Sequence, residues 1–217
     1  MESRFSLLLA IASVCVLGAC NRTPVQNPDP NHTHADFAVW VDGKQMDFSG
    51  QEFMSAPPKD ENEAGVSFIP VASAHGDEDD GHVLPGREYL HLHGGNGHVI
   101  HRHKPGLTLA DFFTSLSLGF SEKCFSSGIP GQDGEECFEH PFRFFVNGTE
   151  RPFDGLRYVF EDGDQLLITN AVDQAEITKE LKLLTDDACR YSKTCPWRGE
   201  PPTENCIADP EVPCINP

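Results

Sequence analysis

Hydrophobic and polar residues alternate along two stretches of the chain, and each stretch centres on a turn sequence. Residues 35–50 read ADFAVWVDGKQMDFSG around an Asp-Gly pair, and residues 142–153 read FRFFVNGTERPF around an Asn-Gly pair. Both dipeptides favour the tight turns that join antiparallel strands. The pattern therefore predicts two β-hairpins.

Two further stretches repeat apolar residues at the spacing of a helix. The first starts at Thr108, which forms a capping-box pattern with Asp111, and we expect Gly119 to end it. Its apolar face comprises Leu109, Phe112, Phe113 and Leu116. The second helix is capped by Asp173 together with Glu176. Its apolar face comprises Ile177, Leu181 and Leu184.

The remaining segments divide into predicted strands and loops. The sequences RYVF (157–160) and QLLITN (165–170) are expected to form a strand pair. Residues 55–87 lack periodicity and contain acidic runs, which indicates a loop insertion. Residues 120–141 are expected to form a loop that carries two cysteines, and the Pro- and Cys-rich residues from 186 predict an irregular tail.

The order of these elements resembles the β-grasp, or ubiquitin-like, layout over roughly residues 88–170, ending in the strand sequence EDGDQLLI. The resemblance implies an α+β fold in which a mixed β-sheet wraps one helix. A second C-terminal helix and a disulfide-stapled irregular tail complete the expected architecture. The β-grasp fold hosts many roles, so the resemblance implies no activity.

The first twenty residues have the layout of an export signal. Arg4 precedes an apolar run over residues 5–17, which is shorter than the ~20 residues of a transmembrane helix. The ending Leu-Gly-Ala-Cys resembles the bacterial lipobox, which implies cleavage before Cys20 and lipid on that cysteine. The alternative is an ordinary secretory signal whose Cys20 joins a disulfide. The lipobox would anchor the protein to a bacterial membrane, on its periplasmic or cell-surface face.

These patterns divide the chain into four expected parts. Residues 1–19 are the lipoprotein signal peptide, and residues 20–31 form a Pro- and Asn-rich linker behind the lipid. Residues 32–185 form one His-rich, metal-binding α+β domain, and residues 186–217 form the Cys- and Pro-rich tail.

The net charge of the chain limits the classes of molecule that it is expected to bind. The chain holds 34 acidic and 16 basic residues and has a formal net charge of −18 at pH 7. Such a charge repels nucleic acid, so we expect no nucleic-acid partner, and it attracts cations.

An even number of cysteines after Cys20 predicts three disulfides in an exported protein. Pairing between neighbours is favoured, with the first pair separate from the four in the tail, because the first two bracket a Gly-rich loop. The six are Cys124, Cys137, Cys189, Cys195, Cys206 and Cys214.

Histidine is concentrated in residues 91–103, HLHGGNGHVIHRH, which hold five of the ten in the chain. Residues two apart on a strand face the same side, so each His-x-His pair shares a face. If His91 lies opposite His101, the imidazoles of both pairs share one face and Ile100 lies on the other with Leu90 and Leu92. A two-residue turn would give the alternative register, in which Ile100 is exposed. Burial of Ile100 contributes ~2 kcal/mol and therefore favours the register in which His91 lies opposite His101.

A third His-x-His pair opens the first predicted strand and completes the candidate metal site. The site comprises His32, His34, His91, His93, His101 and His103. His75 and His82 flank an acidic stretch that is expected to be a solvated loop, with weak cation capture as the alternative. We expect His98 to face away from the site and His140 to have no role.

An all-imidazole site suits Cu(II) or Zn(II), with copper slightly preferred by the order of affinities. A blue-copper centre is disfavoured because the disulfides leave no thiolate. The motifs HTHADF, HLH and IHRH with a Cys-rich ending also resemble uncharacterised exported bacterial proteins, a likeness that implies no activity.

Three functions are compatible with such a site. The favoured one is a lipid-anchored protein that captures, buffers or delivers copper or zinc, with a delivery partner that the sequence does not identify. The second is a hydrolase or hydratase with an open three-histidine zinc site, for which Asp36 and Glu88 are the candidate bases. The third is an adhesion or scaffold module without metal. No dedicated catalytic base stands out, so binding is favoured over catalysis.

Overall fold

A computed structural model describes residues 25–55 and 83–202 of the chain. The predicted signal peptide, the lipidation site Cys20, His75, His82 and the last two cysteines, Cys206 and Cys214, lie outside the described residues.

One mixed sheet of seven strands dominates the part of the chain that the structure describes. Its strands are β1 (Thr33–Val41), β2 (Lys44–Gln45), β3 (Leu90–His91), β4 (Val99–Arg102), β8 (Arg143–Val146), β9 (Thr149–Arg151) and β10 (Asp164–Thr169). Their order is β3-β4-β1-β10-β8-β9, and β2 pairs with β1. A smaller sheet contains β5 (Leu118–Phe120), β6 (Cys124–Ser127) and β7 (Gly134–Cys137).

Strand β1 lies in the middle of the main sheet and is covered on both faces. It pairs in parallel with β10 and antiparallel with β4. Phe37 and Val39 point into the main core, whereas Ala38 and Trp40 point into a second apolar cluster on the opposite face. A central strand buried on both faces explains why this segment is almost continuously apolar.

Helices cover both faces of the main sheet. Helix α1 (Leu109–Ser115) packs into the main core, where the Phe112 ring meets that of Phe37 at 5.2 Å. Helix α2 (Gln174–Leu183) buries Ile177 on the opposite face. The one-turn helix α3 (Ala188–Tyr191) follows α2. Shorter 3-10 helices span Gln51–Phe53, Phe153–Arg157 and Pro196–Arg198.

Both predicted hairpin turns and both predicted helices are present. Asp42 and Asn147 have positive φ angles of 48° and 50°, as tight Asp-Gly and Asn-Gly turns require. Thr108 and Asp111 form the capping box at the start of α1, and the Asp173 side chain accepts from the amide of Ala175 at the start of α2.

Three local predictions are wrong. Helix α1 ends at Ser115 rather than near Gly119, and Gly119 instead lies in β5, where a Cβ would come within 2.6 Å of the Ser126 hydroxyl oxygen. The expected loop 120–141 contains the β6–β7 hairpin. The sequence RYVF forms no strand, because the Tyr158 carbonyl accepts from the Leu109 amide at the start of α1.

The chain is therefore a mixed α+β protein, and it has a disulfide in the tail between Cys189 and Cys195. A second disulfide joins Cys124 to Cys137 across the β6–β7 hairpin. Both bonds link neighbouring cysteines, as predicted. Among the described residues, no helix has the length and apolar character needed to cross a membrane.

Candidate metal centre

Three neighbouring strands bring the predicted ligands together on one face of the sheet. His34 of β1 lies opposite His101 of β4, and His101 lies opposite His91 of β3. The remaining three lie just beyond the ends of these strands. The whole set, called the histidine cluster below, comprises His32, His34, His91, His93, His101 and His103.

The strand register is the one that apolar burial predicts. Because His91 pairs with His101, Leu90, Leu92 and Ile100 face the opposite side and are buried in the main core. The pairing of β4 with β1 then adds the first His-x-His pair to the same face.

The imidazole rings are in mutual contact. Centroids of neighbouring rings lie between 3.9 and 6.2 Å apart. One ring nitrogen from each of His32, His34 and His101 lies within 4.8 Å of the other two. These three residues are a possible metal-binding group.

Hydrogen bonds fix the orientation of the His34 ring. The Ser192 hydroxyl donates to Asp162 Oδ1 at 2.5 Å, so its oxygen accepts from Nδ1 of His34 at 2.7 Å. Nε2 of His34 therefore carries the lone pair, and it lies 3.1 Å from Nε2 of His32. Burial alone would raise the pKa of Asp162, but the hydrogen bonds from His34 and Ser192 outweigh it and lower that pKa. The carboxylate is thus charged and supports the ring as a ligand.

His91 is oriented by the backbone. Its Nδ1 donates to the carbonyl oxygen of Arg87 at 2.8 Å, so Nε2 carries the lone pair. Arg87 is itself held in place, because its guanidinium donates to the carbonyls of Glu52, Met54 and Ser115.

His103 lies between two other rings of the cluster. It stacks on His32 at 3.9 Å and on His91 at 4.9 Å. Its buried Nδ1 has no hydrogen-bond partner among the described residues. Burial, and secondarily the charges that neighbouring histidines would carry, lower the pKa of His103 far below its usual range. The ring is therefore neutral at physiological pH, which is the form that binds metal.

The cluster is mostly closed to solvent. His34, His91, His101 and His103 are between 0 and 4% exposed. His32 and His93 are partly exposed. The cluster therefore reaches solvent through these two residues.

Residues 185–192, called the tail segment below, cover the cluster. Tyr191 packs edge-on against His101 at 4.8 Å, and its hydroxyl accepts from the side chain of Asn96 at 2.8 Å. The buried Asp36 carboxylate holds the segment by accepting from the Thr185 hydroxyl and from the amides of Asp187 and Ala188. Burial raises the pKa of Asp36 despite these hydrogen bonds.

Neither candidate base is placed for catalysis. The Asp36 carboxylate is engaged by the tail segment. Glu88 accepts from the amide of Gly86, two residues away, at an exposed position. His98 pairs with Asp187 at 3.3 Å, and His140 is exposed.

Three residues of the centre have no clear signal in the sequence. Asp162 lies in a turn, and Ser192 and Tyr191 lie in a tail without periodicity. The polar residues Thr185–Asp187 after α2 are a signal only that the tail returns to the sheet, where they donate to the buried Asp36 carboxylate.

The arrangement offers several neutral imidazoles, two of them with fixed orientation, in a mostly buried pocket. Such a donor set suits a first-row divalent ion. No protein-family model, curated protein or solved structure matches the chain. The function therefore rests on the geometry of the site.

Proposed function

We propose that this protein binds Cu(II) or Zn(II) outside the cytoplasm while anchored to a bacterial membrane by lipid on Cys20. It captures, buffers or delivers the ion through its His-x-His pairs. The observation that carries the proposal is the group His32, His34 and His101, whose ring nitrogens approach within 4.8 Å of one another.

The surroundings of the group support binding rather than a solvated polar patch. Fixing the second ring nitrogen of a histidine, as Ser192 does for His34, is the usual support of metal-ligating imidazoles. The buried Nδ1 of His103 has no hydrogen-bond partner among the described residues, and a metal ion would supply one. The net charge of −18 raises the local concentration of cations.

Copper is slightly preferred over zinc by the order of affinities. The described site contains no thiolate ligand, because the cysteines that the structure describes are in disulfides. This donor set supports Cu(II) or Zn(II) over Cu(I).

A β-grasp-like relationship belongs to the same proposal. It is supported by the mixed main sheet and by α1, which packs against one face of that sheet. Along the chain, α1 follows the β3–β4 pair and precedes the β8–β9 pair.

A metal-dependent hydrolase or hydratase is the second candidate, and one observation favours it. The group of three histidines has the ligand number of catalytic zinc sites. In those sites a water molecule occupies the fourth position and ionises near neutral pH. The candidate base Asp36 already accepts hydrogen bonds from the tail segment, which disfavours a hydrolase or hydratase. Hydrolysis of activated esters and hydration of CO₂ by zinc-loaded protein, compared with a chelator-treated sample, would distinguish the two functions.

The test of binding is calorimetric titration of the full-length protein, purified without a His-tag or metal column and stripped of metal. We expect dissociation constants below about 1 µM for Cu(II) or Zn(II). His34→Ala with His101→Ala should abolish the binding of the ion held by His32, His34 and His101. The matched control is His98→Ala with His140→Ala, which removes two histidines outside the cluster. Micromolar or weaker binding that the first double variant leaves unaltered would favour a scaffold role without metal.

A further inference from the structure

We infer that the histidine cluster is a two-ion centre, an inference that rests on the proposed metal-binding function. One ion is bound by His32, His34 and His101. The second ion is bound by His91, His93 and His103.

The cluster is too wide for a single ion. Metal–nitrogen bonds of about 2.0–2.1 Å place opposite ligand nitrogens at most ~4.2 Å apart. The six histidines come from three adjacent strands, whose spacing of ~4.8 Å separates the outer strands by almost 10 Å. The His101 ring lies between the outer rings, with its centroid 4.8 Å from that of His34 and 5.9 Å from that of His91. An ion bound beside His34 is thus separated from His91 by an intervening ring.

The second set has donors of its own. The bond from Nδ1 of His91 to the Arg87 carbonyl leaves the lone pair on Nε2, in the same way that Ser192 does for His34. His103 is 4% exposed and lies between the two sets, stacked on His32 at 3.9 Å and on His91 at 4.9 Å. Its buried Nδ1 has no hydrogen-bond partner among the described residues. A buried ring nitrogen without a hydrogen bond is costly, and a second ion offers it a partner.

The third ligand of the second set is His93, whose side chain must rotate to reach the ion. Its ring lies 5.9 Å from that of His91 and 4.1 Å from that of His101. The residue follows the end of β3 and is partly exposed, and its ring lies 6.1 Å from that of Tyr191. Binding of the second ion requires the side chain to turn from His101 toward His91.

The two sets contain the same number of buried and of partly exposed histidines. Two members are buried and one is partly exposed, and the exposed members are His32 in the first set and His93 in the second. Each ion therefore has its own ligand at the surface through which it can enter and leave. A single site would need only one such ligand.

A nearby carboxylate reduces the repulsion between two dications. Asp162 reaches His34 through Ser192. The acidic surface, with a net charge of −18, acts in the same direction.

Stoichiometry tests the inference on the full-length, metal-stripped protein. We expect calorimetric titration with Zn(II), and metal analysis after dialysis, to give two ions per chain. Saturation with Cu(II) should give an electron paramagnetic resonance spectrum broadened by dipolar coupling between neighbouring ions. These measurements require no substitution, so the inference can fail even if every variant misfolds. One ion per chain with an isolated Cu(II) spectrum overturns the two-ion centre while leaving the proposed function intact, whereas the absence of tight binding overturns both.

Two double variants assign the ions to the two sets. His91→Ala with His93→Ala should lower the stoichiometry from two to one and remove the dipolar coupling. His32→Ala with His34→Ala should do the same by removing the other ion. His98→Ala with His140→Ala is the matched control and should keep both ions. A stoichiometry that stays at two in either cluster variant, with unchanged circular dichroism, contradicts the assignment.

Discussion

At the scale of single residues, the centre depends on which ring nitrogen each histidine uses. A neutral imidazole has one donor and one acceptor nitrogen, and a hydrogen bond at the first decides which atom can bind a metal. Ser192 makes this choice for His34 and the Arg87 carbonyl makes it for His91. A hydroxyl can be removed by substitution without touching a ligand, whereas a backbone carbonyl cannot.

Ser192→Ala should therefore weaken metal binding while leaving the six imidazoles in place. Loss of the link between His34 and Asp162 frees the ring to rotate and removes the support of the carboxylate, so we expect a 10- to 100-fold lower affinity. Calorimetric titration with Zn(II) measures the change. Ser121→Ala, at an exposed position near the β6–β7 hairpin, is the matched control and should bind as the parent does. Equal affinity in the two variants would show that the Ser192 hydroxyl has no part in orienting the ligand.

The metal-free protein should lose stability as the pH falls below ~6.5. His103 has a lowered pKa in the folded protein because it is buried, whereas in the unfolded chain it binds a proton near pH 6.5. Below that pH the unfolded state binds more protons, so the free energy of unfolding decreases. Between pH 7.5 and 5.5 we expect a loss on the order of 1 kcal/mol from His103.

Urea unfolding in the presence of a chelator measures this loss. His103→Gln, which cannot titrate, should show a smaller dependence on pH than the parent, even if it is less stable at both pH values. An equal dependence on pH in the parent and in His103→Gln would contradict the burial of a neutral His103.

At the scale of elements, a buried carboxylate of the sheet holds the start of the tail segment. Asp36 accepts hydrogen bonds from the Thr185 hydroxyl and from two backbone amides, and it lies two residues from His34 on the same face of β1. The aspartate of the motif His-x-His-x-Asp thus positions the tail segment over the ligands that precede it. This role explains why the carboxylate belongs to the pattern without being a ligand or a base.

Asp36→Ala should detach the tail segment. Three donors lose their acceptor, so we expect the free energy of unfolding to fall by about 3 kcal/mol. Hydrogen–deuterium exchange should increase at residues 185–192 more than in β1 or β10. Asp47→Ala is the control, because the exposed Asp47 accepts from the amide of nearby Ser49 and lies outside the tail segment. Protection of the tail segment equal to that of the parent would refute the role of Asp36.

Local patterns predicted the elements whose partners are close in sequence. The turns at Asp42 and Asn147, the capping box at Thr108 and the pairing of His91 with His101 each follow from a few neighbouring residues. The hydrophobic pattern decided the register because a shift by one position would expose Ile100.

Contacts between distant parts of the chain were not predictable in the same way. Ser192 is 158 residues from His34, and a four-residue helix is too short to show periodicity. The sequence RYVF has strand-like composition, but the carbonyl of Tyr158 is used by the start of α1 and its hydroxyl donates to Asp164. Tertiary hydrogen bonds outweighed local preference in both cases.

At the scale of the whole molecule, the predicted anchor and the centre are close along the chain. His32 follows Cys20 by twelve positions in the sequence. A chain of that length spans at most ~40 Å when fully extended. His32 is the partly exposed member of the first ligand set. A lipid on Cys20 would therefore keep this entry to the centre within ~40 Å of the membrane surface, where ions delivered across the membrane arrive.

The membrane attachment is tested by Cys20→Ser. The charged start, the apolar run and the Leu-Gly-Ala-Cys ending predict that lipid on this cysteine holds the protein to the membrane. We expect the variant to move from the membrane fraction to the soluble fraction, because serine lacks the thiol to which the lipid would be attached. Cys15→Ser, which changes the other cysteine of the leader, is the matched control and should remain membrane-bound. The released protein should still bind metal with the affinity of the parent, since no ligand is altered. A Cys20→Ser protein that stays in the membrane fraction to the same extent as the control would show that the anchor is wrongly assigned, whatever its affinity for metal.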